Sequence, residues 1–239
     1  PHSMVVNHAG ELCVLASTWS KNFPIFGDTV AQRTLAGESD IVVFRMGSDG
    51  KAMLSSTFIG GSKRDGQNGT LSNISTGLNN DSKVAWNYGD IYRGEIVNDD
   101  NDFLYIAGST QSSEFDGFPV TNAYQTNNGG GKQDGCVFKL APDLKRIVWG
   151  TFVGGNDWDV CNGLHVAPDQ SIFVGGGTTS QTWRHAFNGI GTKYFGGVED
   201  GFLIHLGNDG KLLNASFVGS PGYDQVFLVQ TDRDGNPYI

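Results

Sequence analysis

The chain has 239 residues, a formal net charge of −9 and 35 glycines, and 38% of its residues are hydrophobic. Phosphate neutralisation needs clustered Lys and Arg, so an acidic chain without a basic block is not expected to bind nucleic acid. The apolar content suffices for a packed core. No apolar run reaches the roughly 18 residues of a membrane span. We therefore expect a turn-rich globular protein with no transmembrane segment.

The first predicted strands are largely apolar runs at 12–18 and 39–46, followed by an Asp49-Gly50 turn and a run that ends at Gly60-Gly61. Short runs punctuated by Asn, Asp and Gly are typical of strands joined by tight hairpins. Glycine suits such turns because it adopts positive φ without a steric penalty. No window shows the 3.6-residue period of a helix, so the sequence predicts an all-β protein.

The same elements recur along the chain. In the middle of the sequence, strands are predicted at 93–98, 103–110, 135–140 and 146–154. Two sets of aspartates recur at offsets of 94 and then 66 residues: Asp40, Asp134 and Asp200, and Asp49, Asp143 and Asp209. This is a tandem repeat of about 66 residues, stretched once by an inserted loop at 63–90. The predicted units are 1–92, 93–160 and 161–226, with a further unit starting at 227–239.

Four short strands in each repeat predict the blades of a β-propeller; a β-solenoid, the alternative, usually has shorter repeats. Propellers typically close with about 4 to 8 blades, and about three units are present here. We therefore expect this run of blades to be part of a larger propeller. A small propeller completed by a partner chain is the less favoured interpretation.

Several spaced motifs carry a family resemblance. The middle unit has the strand Tyr105-Ile106-Ala107-Gly108-Ser109-Thr110, then Phe118-Pro119, Ala123-Tyr124-Gln125, and a strand that runs from Asp134 through Lys139-Leu140. This order resembles the bacterial SBBP-type β-propeller repeat. The first unit keeps Phe23-Pro24 and Ala31-Gln32. The third unit departs from the pattern, with Thr182-Trp183-Arg184 and Ala186-Phe187-Asn188 at those places.

The resemblance implies a secreted or cell-surface propeller like those in large surface proteins of the Bacteroidetes. Such proteins are often exported by type IX secretion and include adhesins and gliding-associated proteins. The family has no shared catalytic residues, so the resemblance implies a non-enzymatic interaction or adhesion scaffold. Its expected partners are proteins or surface glycans, together with the remaining blades of the same polypeptide.

Aromatic side chains near predicted loops are the candidate binding residues. Trp86, Tyr88 and Tyr92 lie at or after the end of the inserted loop, and Trp158 and Trp183 lie in neighbouring connections. Aromatic rings stack on sugars or anchor protein partners, and rigid blades hold loops in place for recognition. The alternative is that these rings wedge between blades and serve packing.

An acidic cluster is a weak candidate for calcium. Asp99, Asp100 and Asp102 offer the oxygen ligands that Ca²⁺ prefers. The equivalent positions in the other units mark ordinary hairpin turns, so a turn is the favoured interpretation. No other cofactor is expected.

The sequence contains none of the common catalytic motifs. The alternative function is that of a sialidase-like or carbohydrate-binding propeller.

The three cysteines, Cys13, Cys136 and Cys161, show no metal-binding spacing. Small buried residues in strands are the favoured interpretation, and a Cys136–Cys161 disulfide is the alternative.

Overall fold

The computed structural model describes residues 1–69, 81–85, 91–122 and 124–239. These residues form three four-stranded antiparallel sheets and a short hairpin, with a 3-10 helix at Glu114–Asp116. The prediction of an all-β protein is confirmed. Within the same ranges, no helix is long and apolar enough to cross a membrane.

The strands follow the chain in order. The first sheet comprises β1 (Ser3–Val6), β2 (Leu12–Thr18), β3 (Asp40–Met46) and β4 (Met53–Ile59). The second comprises β5 (Glu95–Asn98), β6 (Leu104–Thr110), β7 (Asp134–Leu140) and β8 (Ile147–Val153). The third comprises β9 (Asp159–Val166), β10 (Ile172–Thr178), β11 (Asp200–Leu206) and β12 (Leu212–Val218). The hairpin pairs β13 (Gln230–Thr231) with β14 (Pro237–Tyr238).

Each sheet is a meander in which sequential strands pair with their neighbours. The pairing of third and fourth strands shifts register at the same place in every sheet, after Arg45, Lys139 and His205. Four strands predicted for the middle of the chain are found with ends within two residues of the prediction. The sequence repeat is therefore also a repeat of sheet geometry.

The middle sheet is covered on both faces by its two neighbouring sheets. Successive side chains of a strand point to opposite sides, so neighbouring residues pack on different sheets. Val137 and Val153 pack toward the third sheet, whereas Phe138 and Phe152 pack toward the first. The first strands of the sheets also touch, since β5 contacts both β1 and β9. The sheets therefore pack face to face and converge along their first strands.

The cysteines lie inside these strands. Cys13, Cys136 and Cys161 are all buried and free. Burial raises the pKa of the Cys13 thiol to about 11 and raises those of Cys136 and Cys161 well above their ordinary value. The favoured interpretation, small buried residues in strands, is confirmed.

Candidate functional site

The long loops of the three sheets all leave from the same ends of the strands. We call the surface formed at these strand ends the long-loop edge. They join second strands to third strands at 19–39, 111–133 and 179–199, and the connections between sheets leave the same edge. The opposite ends of the strands form the turn edge, where the connections are tight turns. In one of them, the Gly210 N–H donates to the Gly207 carbonyl at 2.9 Å. Loops on a rigid scaffold are common recognition surfaces, so the long-loop edge is the candidate binding surface.

The predicted aromatic residues are mostly used for packing where they are described. Trp86 and Tyr88 lie outside the described residues. Tyr92 is half-buried and meets His2 edge-to-face, with ring centroids 6.0 Å apart. Trp158 is only 6% exposed, because it packs with Val84 and Val160. Neither Tyr92 nor Trp158 is presented as a free aromatic platform.

Trp183 also packs against its own sheet. Its ring lies 5.3 Å from that of Phe202, in an edge-to-face contact. In the second sheet, the Phe118 ring stacks on Phe152 at 5.1 Å, and in the third sheet the Phe187 ring stacks on the equivalent Phe217 at 4.0 Å. Trp183 meets Phe187 edge-to-face at 5.0 Å. In the third unit, Phe187 therefore has the stacking role that the Phe of the Phe-Pro motif has in the second unit, and Trp183 packs beside it.

The described end of the inserted loop, residues 81–85, bridges distant parts of the chain. The Lys83 ammonium pairs with the Asp157 carboxylate at 2.6 Å. The carbonyl of buried Val84 accepts hydrogen bonds from Asn68 Nδ2 at 2.8 Å and from Gln225 Nε2 at 3.2 Å. These contacts fix this part of the insertion on the long-loop edge.

Two open clefts lie on the long-loop edge beside the third sheet, and Gln181 and Tyr194 line both of them. The first cleft, about 530 Å³, is also lined by Lys83 and Asp157. The second, about 580 Å³, is also lined by Trp183, His185 and Lys193. Together they offer amide, ammonium and phenol groups around aromatic rings. Such a surface can hydrogen-bond a polar ligand while a ring packs on its apolar face.

Tyr194 stands between the two clefts and is half-buried. Burial, together with the neighbouring carboxylates Asp200 and Glu199, raises the pKa of its phenol to about 12. The phenol is therefore neutral at physiological pH and available as a hydrogen-bond donor. Its ring meets Phe217 edge-to-face at 6.1 Å, which fixes its position.

The carboxylates of the calcium candidate have protein partners. Asp99 Oδ1 accepts the N–H groups of Asn101 and Phe103 at 2.9 and 3.0 Å, in the geometry of a turn. Asp102 Oδ1 accepts from His8, and Asp100 Oδ2 accepts from Gln170 Nε2 at 3.4 Å. Over the part of the chain that the structure describes, no group of three or more His, Cys, Asp or Glu is placed to hold a metal ion. Calcium binding stays a prediction.

A scan against protein-family models and a search of curated proteins give no match for the chain. The three units can still be compared with one another. That comparison brings out buried carboxyl groups to which the sequence patterns assign only turn or strand-entry roles. Asp40, Asp134 and Asp200 begin the third strands and are fully buried.

The glutamine of the Ala-x-Gln motif is a partner of this buried aspartate. Gln32 Nε2 donates to Asp40 Oδ2 at 2.8 Å, and Gln125 Nε2 lies 3.4 Å from Asp134 Oδ2. In the third unit, where Asn188 replaces the glutamine, the Phe195 N–H donates to Asp200 instead. A second aspartate recurs four residues after the Gly-Gly or Gly-Ser pair that ends each sheet. These aspartates are Asp65, Asp159 and Asp224. That spacing is the signal in the sequence that could have found the second set.

Proposed function

We propose that this chain is a run of β-propeller blades from a secreted or cell-surface protein, and that it acts as a non-enzymatic interaction or adhesion scaffold. The observation that carries the proposal is the single edge from which all three long loops and the sheet connections leave. Export by, or association with, type IX secretion or gliding machinery belongs to the same proposal. The resemblance to SBBP-type repeats supports that part.

The arrangement of the sheets supports the propeller part of the proposal. Meander sheets that pack face to face and converge along their first strands are the building pattern of propeller blades. Two arginines support a non-enzymatic role, because a sialidase-like site needs arginines clustered on a substrate carboxylate. Arg45 pairs with the chain's own Glu11 at 2.7 Å, and Arg64 pairs with Glu38 at 2.8 Å.

A further blade is the partner that best fits the open face of the third sheet. That face carries an apolar groove of about 610 Å³, and Leu203 and Val218 line it while half-buried. The equivalent Val137 and Val153 of the second sheet are fully buried beneath the third sheet. We expect the source polypeptide to supply a similar four-stranded sheet here. Mass spectrometry of the intact source protein tests this, and a mass near 25.6 kDa would contradict it.

A carbohydrate-binding or sialidase-like propeller is the second candidate function. The two clefts that Gln181 and Tyr194 share favour it, because they combine ring faces with hydrogen-bonding groups. A glycan array combined with hydrolysis assays separates the candidates. Binding without turnover supports a glycan-recognising scaffold. Turnover of any glycan would contradict the non-enzymatic proposal.

The binding surface is tested by two matched double variants. Gln181→Ala with Lys193→Ala removes exposed side chains from the long-loop edge, and Lys145→Ala with Lys211→Ala removes exposed side chains from the turn edge. Binding to outer-membrane preparations and to glycan arrays is measured for both. We expect at least a several-fold loss for the first pair and no change for the second. Equal loss for both pairs, or loss for the second alone, would reject the long-loop edge as the binding surface.

A further inference from the structure

Two aspartates meet over one glycine at the junctions between sheets. A β-carbon built on Gly154 would lie 2.6 Å from Cγ of Asp134 and 2.8 Å from Oδ2 of Asp159. At the first junction, Gly60 stands in the same relation to Asp40 and Asp65, at 2.6 and 2.9 Å. Each junction therefore places two carboxyl groups against the same glycine, where any larger residue would displace them.

At the second junction both carboxyl groups are fully buried, and Asp159 is well supplied with donors. It accepts hydrogen bonds from the Thr178 hydroxyl, from the Ser180 hydroxyl at 2.9 Å and from the Gly155 N–H at 2.8 Å. Asp65 at the first junction has the equivalent set of donors. An ionised carboxylate is best stabilised by such donors, so Asp159 is the member of the pair suited to carry a negative charge.

Asp134 has fewer hydrogen-bond donors than Asp159. Its Oδ2 accepts the Gly129 N–H at 2.8 Å and faces Gln125 Nε2 at 3.4 Å. Its Oδ1 is buried and has no hydrogen-bond donor in the described part of the chain. A bare oxygen on a buried carboxylate is costly, whereas a protonated carboxyl group supplies its own O–H donor.

The surrounding groups do not neutralise a second charge. Arg184 and Glu114 act on Asp134 with opposite signs, and exposed Arg184 donates to the Asn128 carbonyl at 3.3 Å. Burial, and then the charge of Asp159, raise the pKa of Asp134 well above its ordinary range. Burial raises the pKa of Asp159 to about 7 against its hydrogen bonds. The other titratable groups near the pair include Asp157, Tyr124, Cys136 and Cys161.

We propose that Asp134 keeps its proton at neutral pH and that Asp134 and Asp159 form a proton-sharing acid pair, which holds the second and third sheets together and loosens as the pH rises. No metal or other co-reactant is needed, since the only change is transfer of the Asp134 proton to solvent. The native state binds more protons than the unfolded state above the ordinary pKa of Asp. The free energy of unfolding therefore falls as the pH rises through neutrality.

The first junction is a built-in control. There Asp40 accepts hydrogen bonds from Gln32, from the Ala36 N–H at 2.9 Å and from the Gly37 N–H at 3.3 Å, so both of its oxygens have donors. Asp40 should therefore ionise at lower pH than Asp134. The inference does not depend on the proposed binding function, because it concerns only the junction between two sheets.

The test is a carboxyl-carbon NMR titration of the wild-type protein, supported by thermal melts of Asp134→Asn and Asp40→Asn from about pH 5 to about pH 9. We expect the Asp134 signal to stay in its protonated position at neutral pH. We also expect the wild-type Tm to fall with rising pH. Asp134→Asn should reduce the slope of Tm against pH more than Asp40→Asn does. An ionised Asp134 at neutral pH, or an unchanged slope in Asp134→Asn, would overturn the proposal. The titration uses wild-type protein, so it decides the matter even if a variant fails to fold.

Discussion

Replacing Gly154 by alanine is the most direct steric test of the sheet junction. The new methyl group would approach Asp134 Cγ to 2.6 Å and Asp159 Oδ2 to 2.8 Å, well inside contact distance. Asp159 cannot withdraw freely, because it would lose its bonds to Thr178, Ser180 and Gly155. The backbone of Gly154 is not in the left-handed region, so the penalty comes from crowding alone.

Overpacking of a closely packed site costs about 1–3 kcal/mol. We therefore expect Gly154→Ala to lower the free energy of unfolding by about that amount. A domain of this size loses about 2–4 °C of Tm for each kcal/mol. The matched control is Gly108→Ala in strand β6, where the nearest atoms to the new methyl group are Cys136 Sγ and Ile41 Cδ1 at 4.0 Å. This substitution should be neutral or stabilise by about 0.4–1 kcal/mol, since it restricts the unfolded chain.

Urea unfolding followed by tryptophan fluorescence measures both variants, and an unchanged slope with a shifted midpoint identifies a change in stability. A Gly154→Ala variant that unfolds at the wild-type midpoint would refute crowding at the sheet junction. Equal destabilisation of Gly108→Ala would also refute it, because the effect would then belong to glycine replacement in general.

Two further substitutions probe the core. Lys139 Nζ lies 3.7 Å from Asp99 Oδ2 with both side chains buried, so Lys139→Met should cost about 3–5 kcal/mol by leaving the charge of Asp99 unpaired. Adding Asp99→Asn should restore much of the loss in urea unfolding, and no restoration would refute the pairing. Phe118→Ala should cost about 3–5 kcal/mol through the lost ring contacts. Phe115→Ala, at a residue 92% exposed, should stay within about 0.5 kcal/mol of wild type; similar losses in both would contradict this assignment.

The strands were predictable from local pattern because alternation and turn chemistry act over a few residues. The strand at Asp134–Leu140 follows from its run of apolar residues, and the turn after it follows from Pro142-Asp143. The packing of residues 81–85 of the inserted loop was not predictable. Their contacts, such as that of Val84 with Trp158, join residues far apart in sequence and depend on how the sheets pack.

The candidate site was predictable only in part. The sequence places Trp183 in a loop, but its contacts with Phe187 and Phe202 depend on how that loop packs against the sheet. The recurrence of Asp134 and Asp159 is visible in the sequence. Their meeting over Gly154 is not, because it depends on the turn that the chain takes between two sheets.

We propose that the long-loop edge binds the partner while the sheets act as a scaffold. Hydroxyl-radical footprinting of the protein bound to outer-membrane preparations tests it most directly. The predicted result is protection of residues in the loops at 111–133 and 179–199, with the turns at 47–52 and 207–211 unchanged. Protection confined to those turns, with the long loops as reactive as in the free protein, would contradict the claim.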